Sequence, residues 1–402
     1  MLERHVMPSA YRWAVLAVTV VAFVQTHMQR MAFAPLIPTF VSDLGITYTA
    51  AGTIQTAYFW TYALAQVPIG VIADRWGSRR VMAVCMGLLA LGAAAFASSG
   101  SFAASIAARM LVGLGAAAVW VPGMRLVTEW FPAHERARAA GLMSAGGGIG
   151  GTLGLLVVPW LSTLWGWRMA YGATVLPAVL TLVLIAVVVT APPAAATPPA
   201  RGSLRAVLAI PAFWPLGVNV FLSYGGYFSF LTFLPAFLVT TLGASTAQAG
   251  SITGLITAGT IVSWPLAGWL SDYHGRRKPL FLASQVATAA VCAFFALAAP
   301  RLDLVSAAVG ALLIGLLVGG TILPFVSAVE LVRPAVAATA SGVANAASFA
   351  AGMVFPVVLG RVVDATGGFT VAFLLAAALQ LVAALAGVFV KETGRTRVKP
   401  TT

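Results

Sequence analysis

In 402 residues, 60% are hydrophobic and 8% charged, about a third of the charge that a water-soluble domain carries. So few charges cannot cover a water-facing surface, which excludes a soluble enzyme or binding module and places the chain in a bilayer. The net charge of +13 reads as topology rather than nucleic-acid affinity, because the basic residues gather at the ends of apolar runs.

At about 20 apolar residues per helical span, the length accommodates twelve spans and no sizeable soluble domain. Apolar runs predict helices near residues 11–39, 46–71, 80–100, 103–127, 137–161 and 168–190. The first run, from Trp13 onward, is too long for a cleavable signal and lacks a small-residue cleavage site. A segment at 191–210 opens with the Pro-rich stretch APPAAATPPARGSLRA and reads as a linker. Six more spans are predicted near 212–241, 246–271, 279–299, 303–329, 338–362 and 368–390. The expected fold is an all-α membrane protein of 12 transmembrane helices in two six-helix pseudo-symmetric bundles, residues 1–190 and 211–402.

Eighteen basic residues fall on one side of this topology and three, Arg168, Arg301 and Arg361, on the other. Both termini and the linker are therefore expected in the cytoplasm, and the protein in the cell inner membrane with the bilayer around it. Cys85 and Cys292 lie inside apolar runs and read as core thiols, with neither disulfide nor metal-ligand spacing. No metal, cofactor or nucleic-acid partner is expected, and the protein is expected to be a monomer. Without a Ser/His/Asp constellation or a usable carboxylate pair, it is not expected to be an enzyme.

The two halves repeat. Between spans two and three stands Gly70-Val-Ile-Ala-Asp74-Arg75-Trp-Gly77-Ser-Arg79-Arg80, and between spans eight and nine Gly268-Trp-Leu-Ser-Asp272-Tyr-His-Gly275-Arg276-Arg277-Lys278. This loop closely resembles the signature of the major facilitator superfamily. The resemblance covers the whole chain. It implies that Gly70, Asp74, Arg75, Gly77 and Arg80, with Asp272, Gly275 and Arg276, form a conformational latch bridging the half-bundles. Tyr273 stands where the first copy has Arg75, so the second copy is the weaker latch.

Further stretches resemble the anion:cation symporter branch, which includes hexuronate, galactonate and vesicular glutamate-type carriers. They are Gln29-Arg30, Tyr58-Phe-Trp-Thr-Tyr62, Arg109-Met-Leu-Val-Gly113 and the run from Trp130 to Ala139. That resemblance implies alternating access around spans one, four, seven and ten, with Tyr58 and Tyr62 among the substrate-binding residues. Relatives commonly carry an acid where this chain has Gln29 and Ala116.

All ten acidic residues fall at helix ends, loops or tails, whereas Arg30 and Arg109 fall inside spans, each roughly 7–9 Å to the outer side of the midplane. Such arginines normally face a cavity. A small organic anion, most simply a carboxylate, would bridge the two guanidinium groups. Otherwise one of them serves helix carboxyl-terminal carbonyls or reaches to the outer surface. His27 lies one turn before Arg30 and either takes the coupling proton or is satisfied by a neighbouring helix.

In span seven, Asn219, Ser223, Tyr224, Gly225, Gly226 and Tyr227 suggest a flexible gating helix with cavity-facing hydroxyls, or else aromatic packing. Asn345 in span eleven faces substrate or bonds across helices. In span five Gly146, Gly150 and Gly154 share one helix face, where another backbone can come close. The expected function is secondary active transport of a small organic anion by proton-coupled symport. Anion exchange is the alternative, as is drug or metabolite efflux, which would need a buried carboxylate for cationic substrates.

Overall fold

The computed structural model describes residues 11–190, 204–333 and 336–393, and no strand occurs among them. In chain order the helices are α1 (Tyr11–Met31), α2 (Ile37–Leu44), α3 (Tyr48–Trp76), α4 (Ser78–Ala97), α5 (Phe102–Ala116), α6 (Trp120–Trp130), α7 (Ala133–Gly172) and α8 (Val175–Val188). After the linker come α9 (Leu204–Leu208), α10 (Phe213–Leu242), α11 (Thr246–His274), α12 (Lys278–Ala298), α13 (Leu304–Leu317), α14 (Leu323–Glu330), α15 (Ala337–Thr366) and α16 (Thr370–Val388). The Pro-rich part of the linker, 191–203, lies outside the described residues.

Eight stretches among the described residues are long and apolar enough to cross a membrane. They reconcile with twelve spans through two facts. One stretch, Arg138–Val188, runs through two spans, because α7 continues past a break at Gly166 (φ 75°) and leads into α8. Three long helices, α1, α3 and α11, are absent from the eight because polar side chains dilute their apolar runs. In α1 these are Gln25, Thr26, His27, Gln29 and Arg30. A spanning helix that is less apolar than its neighbours is one with work to do inside protein rather than against lipid.

The chain divides into two compact units, residues 1–39 with 57–198, and 40–56 with 199–402. The sequence suggested a division at the linker alone; the structure also assigns Phe40–Thr56 to the second unit. Helix α3 therefore belongs to both units, its first turns to one and the rest to the other.

In the first unit α1 packs on α7 and α8, and α4 on α5 and α8. Hydrophobic burial does not drive helix association in lipid, so close backbone contact must. The glycine face of α7 supplies it. A Cβ at Gly146, Gly150 or Gly154 would stand 3.1, 2.1 or 2.4 Å from the carbonyl oxygens of Val20, Val24 and Met28. Both series step by four residues, so one stripe of α7 lies along one stripe of α1. Both cysteines are free and buried.

In the second unit α12 packs on α16, α10 on α15 and α16, and α11 on α13. Asn219 of α10 and Gln285 of α12, both fully buried, exchange two hydrogen bonds of 3.1 Å, and Asn219 also donates to the Ala383 carbonyl of α16 at 2.6 Å. The Gln380 amide donates to the Ser223 carbonyl at 2.9 Å. Asn219 and Ser223 thus sit inside helix packing.

The start of α3 is held by a carboxylate from the far end of the sequence. Asp364 of α15 accepts from the backbone N–H groups of Tyr48 and Thr49 at 2.9 and 2.8 Å and from the Thr49 hydroxyl, while Thr47 accepts from Ala50 N–H. These are the orphan donors of a helix amino terminus, and the carboxylate answers their dipole as well. Glycines let the two elements meet. A Cβ at Gly52 would stand 2.4 Å from the Pro356 carbonyl oxygen, and one at Gly360 2.6 Å from that of Tyr48.

Partial burial would raise the Asp364 carboxyl, but hydrogen bonds from Thr49, Tyr48 and Thr47 outweigh it and hold its pKa below the ordinary carboxylate value. A depressed carboxylate stabilises the folded state above its unfolded pKa, and that contribution fades as pH falls through the folded pKa. Asp364→Ala is expected to cost about 1 kcal/mol. In thermal denaturation of detergent-solubilised protein, its deficit should hold steady from pH 8 to 5 and shrink below about pH 4. A deficit that varies between pH 8 and 5 would contradict the assignment.

Candidate functional site

Arg30 lies in the last turn of α1, where the helix ends at Met31 and a 3-10 turn (Ala34–Leu36) leads into α2. The sequence predicted one unbroken span here. The break matters, because the last carbonyls of α1 lose their intrahelical partners. One of them, Gln29 O, accepts 2.9 Å from Arg109 Nη1 of α5.

Arg109 is 0% exposed. The same Nη1 donates to the Tyr171 hydroxyl at 3.1 Å, and the guanidinium lies 5.2–5.9 Å from the ring centres of Tyr58, Phe33 and Phe96. A cation enclosed by aromatic faces and two oxygen acceptors is stabilised without a carboxylate. The hydrogen bonds continue from Gln29: its Nε2 donates to Thr174 Oγ1 at 2.7 Å, Thr174 Oγ1 to Tyr171 O at 2.6 Å, and Gln25 Nε2 to Thr174 O at 3.0 Å. Arg109 therefore bonds the carboxyl end of α1, one of the three roles the sequence left open for such an arginine.

Arg30 is half-buried, one turn beyond His27 on α1. Tyr58 and Tyr62, one turn apart on α3, stack with centres 5.8 Å apart and planes at 17°. The Tyr58 hydroxyl reaches the Thr26 carbonyl of α1 at 3.4 Å. His27 Nδ1 lies 3.1 Å from the Phe23 carbonyl oxygen. A carbonyl only accepts, so Nδ1 carries the proton and Nε2 is left as an acceptor. Phe23 packs edge-on against the imidazole at 4.2 Å. A Cβ at Gly147 would stand 3.2 Å from His27 Nε2, so this glycine makes room for the ring. The structure thus groups His27, Arg30, Tyr58, Tyr62 and Arg109 in the first unit.

The remaining expected residues lie in the second unit. Tyr224 meets Phe325, Phe228 and Tyr227 edge-on at 5.6, 5.5 and 6.2 Å, and Tyr227 is 9% exposed. They form an aromatic cluster. Asn345 is half-buried, and its backbone carbonyl accepts from Ser348 at 2.7 Å.

At the repeated loops, both turn glycines adopt left-handed backbone, Gly77 at φ 82° and Gly275 at φ 66°, which an L side chain disfavours. Gly70 and the side chain of Asp74 lie outside the described residues, while Arg75, Arg80 and Arg276 are exposed. Asp272 is held by Arg277, at 2.5 Å, rather than by Arg276. Arg277 also pairs with Glu330 at 3.0 Å and donates to Ser271 at 2.7 Å, and Glu392 accepts from its backbone N–H at 2.7 Å. Partial burial pulls the Arg277 pKa down, but the hydrogen bonds to Glu330 and Asp272 raise it past the ordinary value. The second loop is thereby closed within its own unit. In the first unit Arg125 pairs with Glu129 at 2.6 Å and donates to Ala73 O at 3.2 Å, at the end of α3. The sequence reading placed Arg125, Arg277, Glu330 and Glu392 among the charges at helix ends and loops but gave them no part in holding the loops.

The family model of the Major Facilitator Superfamily matches residues 19–356, with a second match over 216–402. The chain belongs to the major facilitator superfamily. Its fold is accordingly the twelve-helix fold of that family of transporters. The chain is 27% identical over 358 residues to the probable nitrate/nitrite transporter NarK2 of Mycobacterium tuberculosis, covering 87% of this chain and 89% of that one. It is 24% identical over 386 residues to the hexuronate transporter of Bacillus subtilis, covering 91% of each. To the probable sulfoacetate transporter SauU of Cupriavidus necator it is 26% identical over 404 residues, covering 94% of each. Among solved structures, a bacterial homolog of the human lysosomal transporter Spinster superposes with a TM-score of 0.77 at 18% identity, covering 95% of both chains. That likeness is one of fold.

Proposed function

We propose that this major facilitator carries a small organic anion, a carboxylate, across the cell inner membrane by alternating access, as a proton symporter with both termini in the cytoplasm. The placing of His27 and Arg30 one turn apart on α1, with the stacked Tyr58 and Tyr62 tied to that helix through the Thr26 carbonyl, carries this reading. A guanidinium at the end of a spanning helix, beside two phenol hydroxyls, offers an anion charge and hydrogen bonds together. The names of the relatives, transporters of nitrate or nitrite, hexuronate and sulfoacetate, support an anion as the cargo. His27 Nε2 is the proposed proton acceptor, gaining basicity when an anion enters beside it. The paired loops are the proposed conformational latches, with Arg277 as the partner of Asp272.

Purified protein in proteoliposomes should take up glucuronate or sulfoacetate and not tetraphenylphosphonium, a lipophilic cation. Arg30→Ala should slow uptake by about 100-fold, the loss of a charge-assisted pair. Unimpaired uptake in that variant refutes the site. For coupling, an inward proton gradient is imposed on substrate-free vesicles, and concentrative uptake should disappear in His27→Gln. If uptake ignores the gradient but needs anion preloaded on the far side, the carrier is an exchanger instead.

A further inference from the structure

We propose that Arg109 is a positioning residue: it does not touch the transported anion but fixes the last turn of α1 and so aims Arg30. The inference rests on the reading of Arg30 as the anion contact. It replaces a pair of equivalent arginines with one that binds and one that holds.

Three observations lead there. First, α1 ends one residue after Arg30, so the turn that carries Arg30 is the one with unsatisfied carbonyls. In a bilayer such a turn must find donors from elsewhere. Second, the donor found is Arg109, bonded to the carbonyl of Gln29, the residue directly before Arg30. A cation at a helix carboxyl terminus is also favoured by the helix dipole. Third, Arg109 is enclosed: it is 0% exposed, its Nη1 serves both Gln29 O and the Tyr171 hydroxyl, and aromatic rings lie around its charge.

The supporting chain is continuous. Tyr171 and Thr174, at the junction of α7 and α8, hold Arg109 and the Gln29 side chain respectively. Gln29 is thus gripped at its carbonyl by Arg109 and at its amide by Thr174. The backbone on which Arg30 sits is restrained from two helices.

A double-mutant cycle on the KM for glucuronate and sulfoacetate uptake tests the assignment. Arg30→Gln, Arg109→Gln and the double variant are compared with the unaltered carrier. A residue that acts only through Arg30 has nothing left to act on once Arg30 is gone. Arg109→Gln should therefore raise KM by about 10-fold alone and leave it unchanged in the Arg30→Gln background, whereas a merely structural role would lower the yield of folded carrier in both backgrounds without moving KM. Tyr171→Phe removes one hydroxyl and is the variant certain to insert. It should raise KM about threefold with Arg30 present and not at all without it.

If the two single effects multiply in the double variant, Arg109 is a second anion contact and the proposal fails, while the anion site stands. If Arg109→Gln and Tyr171→Phe leave KM unchanged, the proposal also fails. If Arg30→Gln alone leaves KM unchanged, Arg30 is not the contact, and positioning falls with it. An unaltered carrier that transports neither probe refutes both.

Discussion

Gly150→Ala should leave almost no correctly assembled carrier, the largest effect expected of a methyl group added at any of the described glycines. Its Cβ would stand 2.1 Å from the Val24 carbonyl oxygen and 2.8 Å from Val24 Cα, both backbone atoms that cannot rotate aside. Relief requires α7 to move away from α1 along its length, which also parts Gly146 and Gly154 from Val20 and Met28. Overpacking of this kind costs about 3 kcal/mol or more. The measure is the monodisperse fraction in size-exclusion chromatography of the solubilised protein, together with its thermal midpoint. Gly147→Ala is the control three residues before it: its nearest neighbours are the Phe23 and His27 rings at 3.1 and 3.2 Å, so side chains can give. It should assemble, while disturbing His27. Equal behaviour of the two variants would remove the backbone contact as the cause.

Asn219→Leu should be the most damaging substitution in the second unit. It keeps the volume and removes a hub that joins α10, α12 and α16. Gln285, fully buried, would lose both partners of its amide, and an unpaired buried amide costs about 1–3 kcal/mol. The Ala383 carbonyl would lose its donor too, although it retains its helical bond. Branched atoms would press on α16 as well, since Asn219 Nδ2 lies 2.9 Å from where a Cβ of Gly387 would stand. The thermal midpoint should fall, and Gln285→Leu added to Asn219→Leu should recover part of the loss, because two apolar residues leave no orphan. A double variant worse than the single one would argue against the amide pair.

The all-helical membrane fold was readable because bilayer crossing writes itself in composition: the spans follow from where charges and prolines stop the apolar runs. The glycine face of α7 was readable for the same reason that it works, a period of four on one side of a helix. The turn at Gly77 and Gly275 was readable from residue type alone. What could not be read were contacts whose partner is a main-chain atom. Every residue has a carbonyl, so nothing in Gln29 announces that Arg109 will bind its oxygen, and nothing in Tyr48 or Thr49 points to Asp364. The choice of Arg277 over Arg276 as the partner of Asp272 depends on which side of a left-handed glycine the chain emerges, a matter of a few tens of degrees. Once α1 ends at Met31, its open carbonyls compete with any anion for the nearer guanidinium.

Helix α3 has a consequence for how the molecule comes apart and goes together. A protein cut at its linker and expressed as two fragments would not yield one unit per fragment. The N-terminal fragment would carry away Phe40–Thr56, which folds with residues 199–402. It would leave Asp364 without the amide groups it caps, and Pro356 and Gly360 without the backbone that lies against them. Co-expressed, the fragments would have to exchange this segment to rebuild the second unit, as a donated strand completes a subunit in an exchanged dimer. Fragment complementation would then be strong and specific without a covalent joint. A synthetic copy of the Phe40–Thr56 segment, supplied in excess during assembly, would compete for that place.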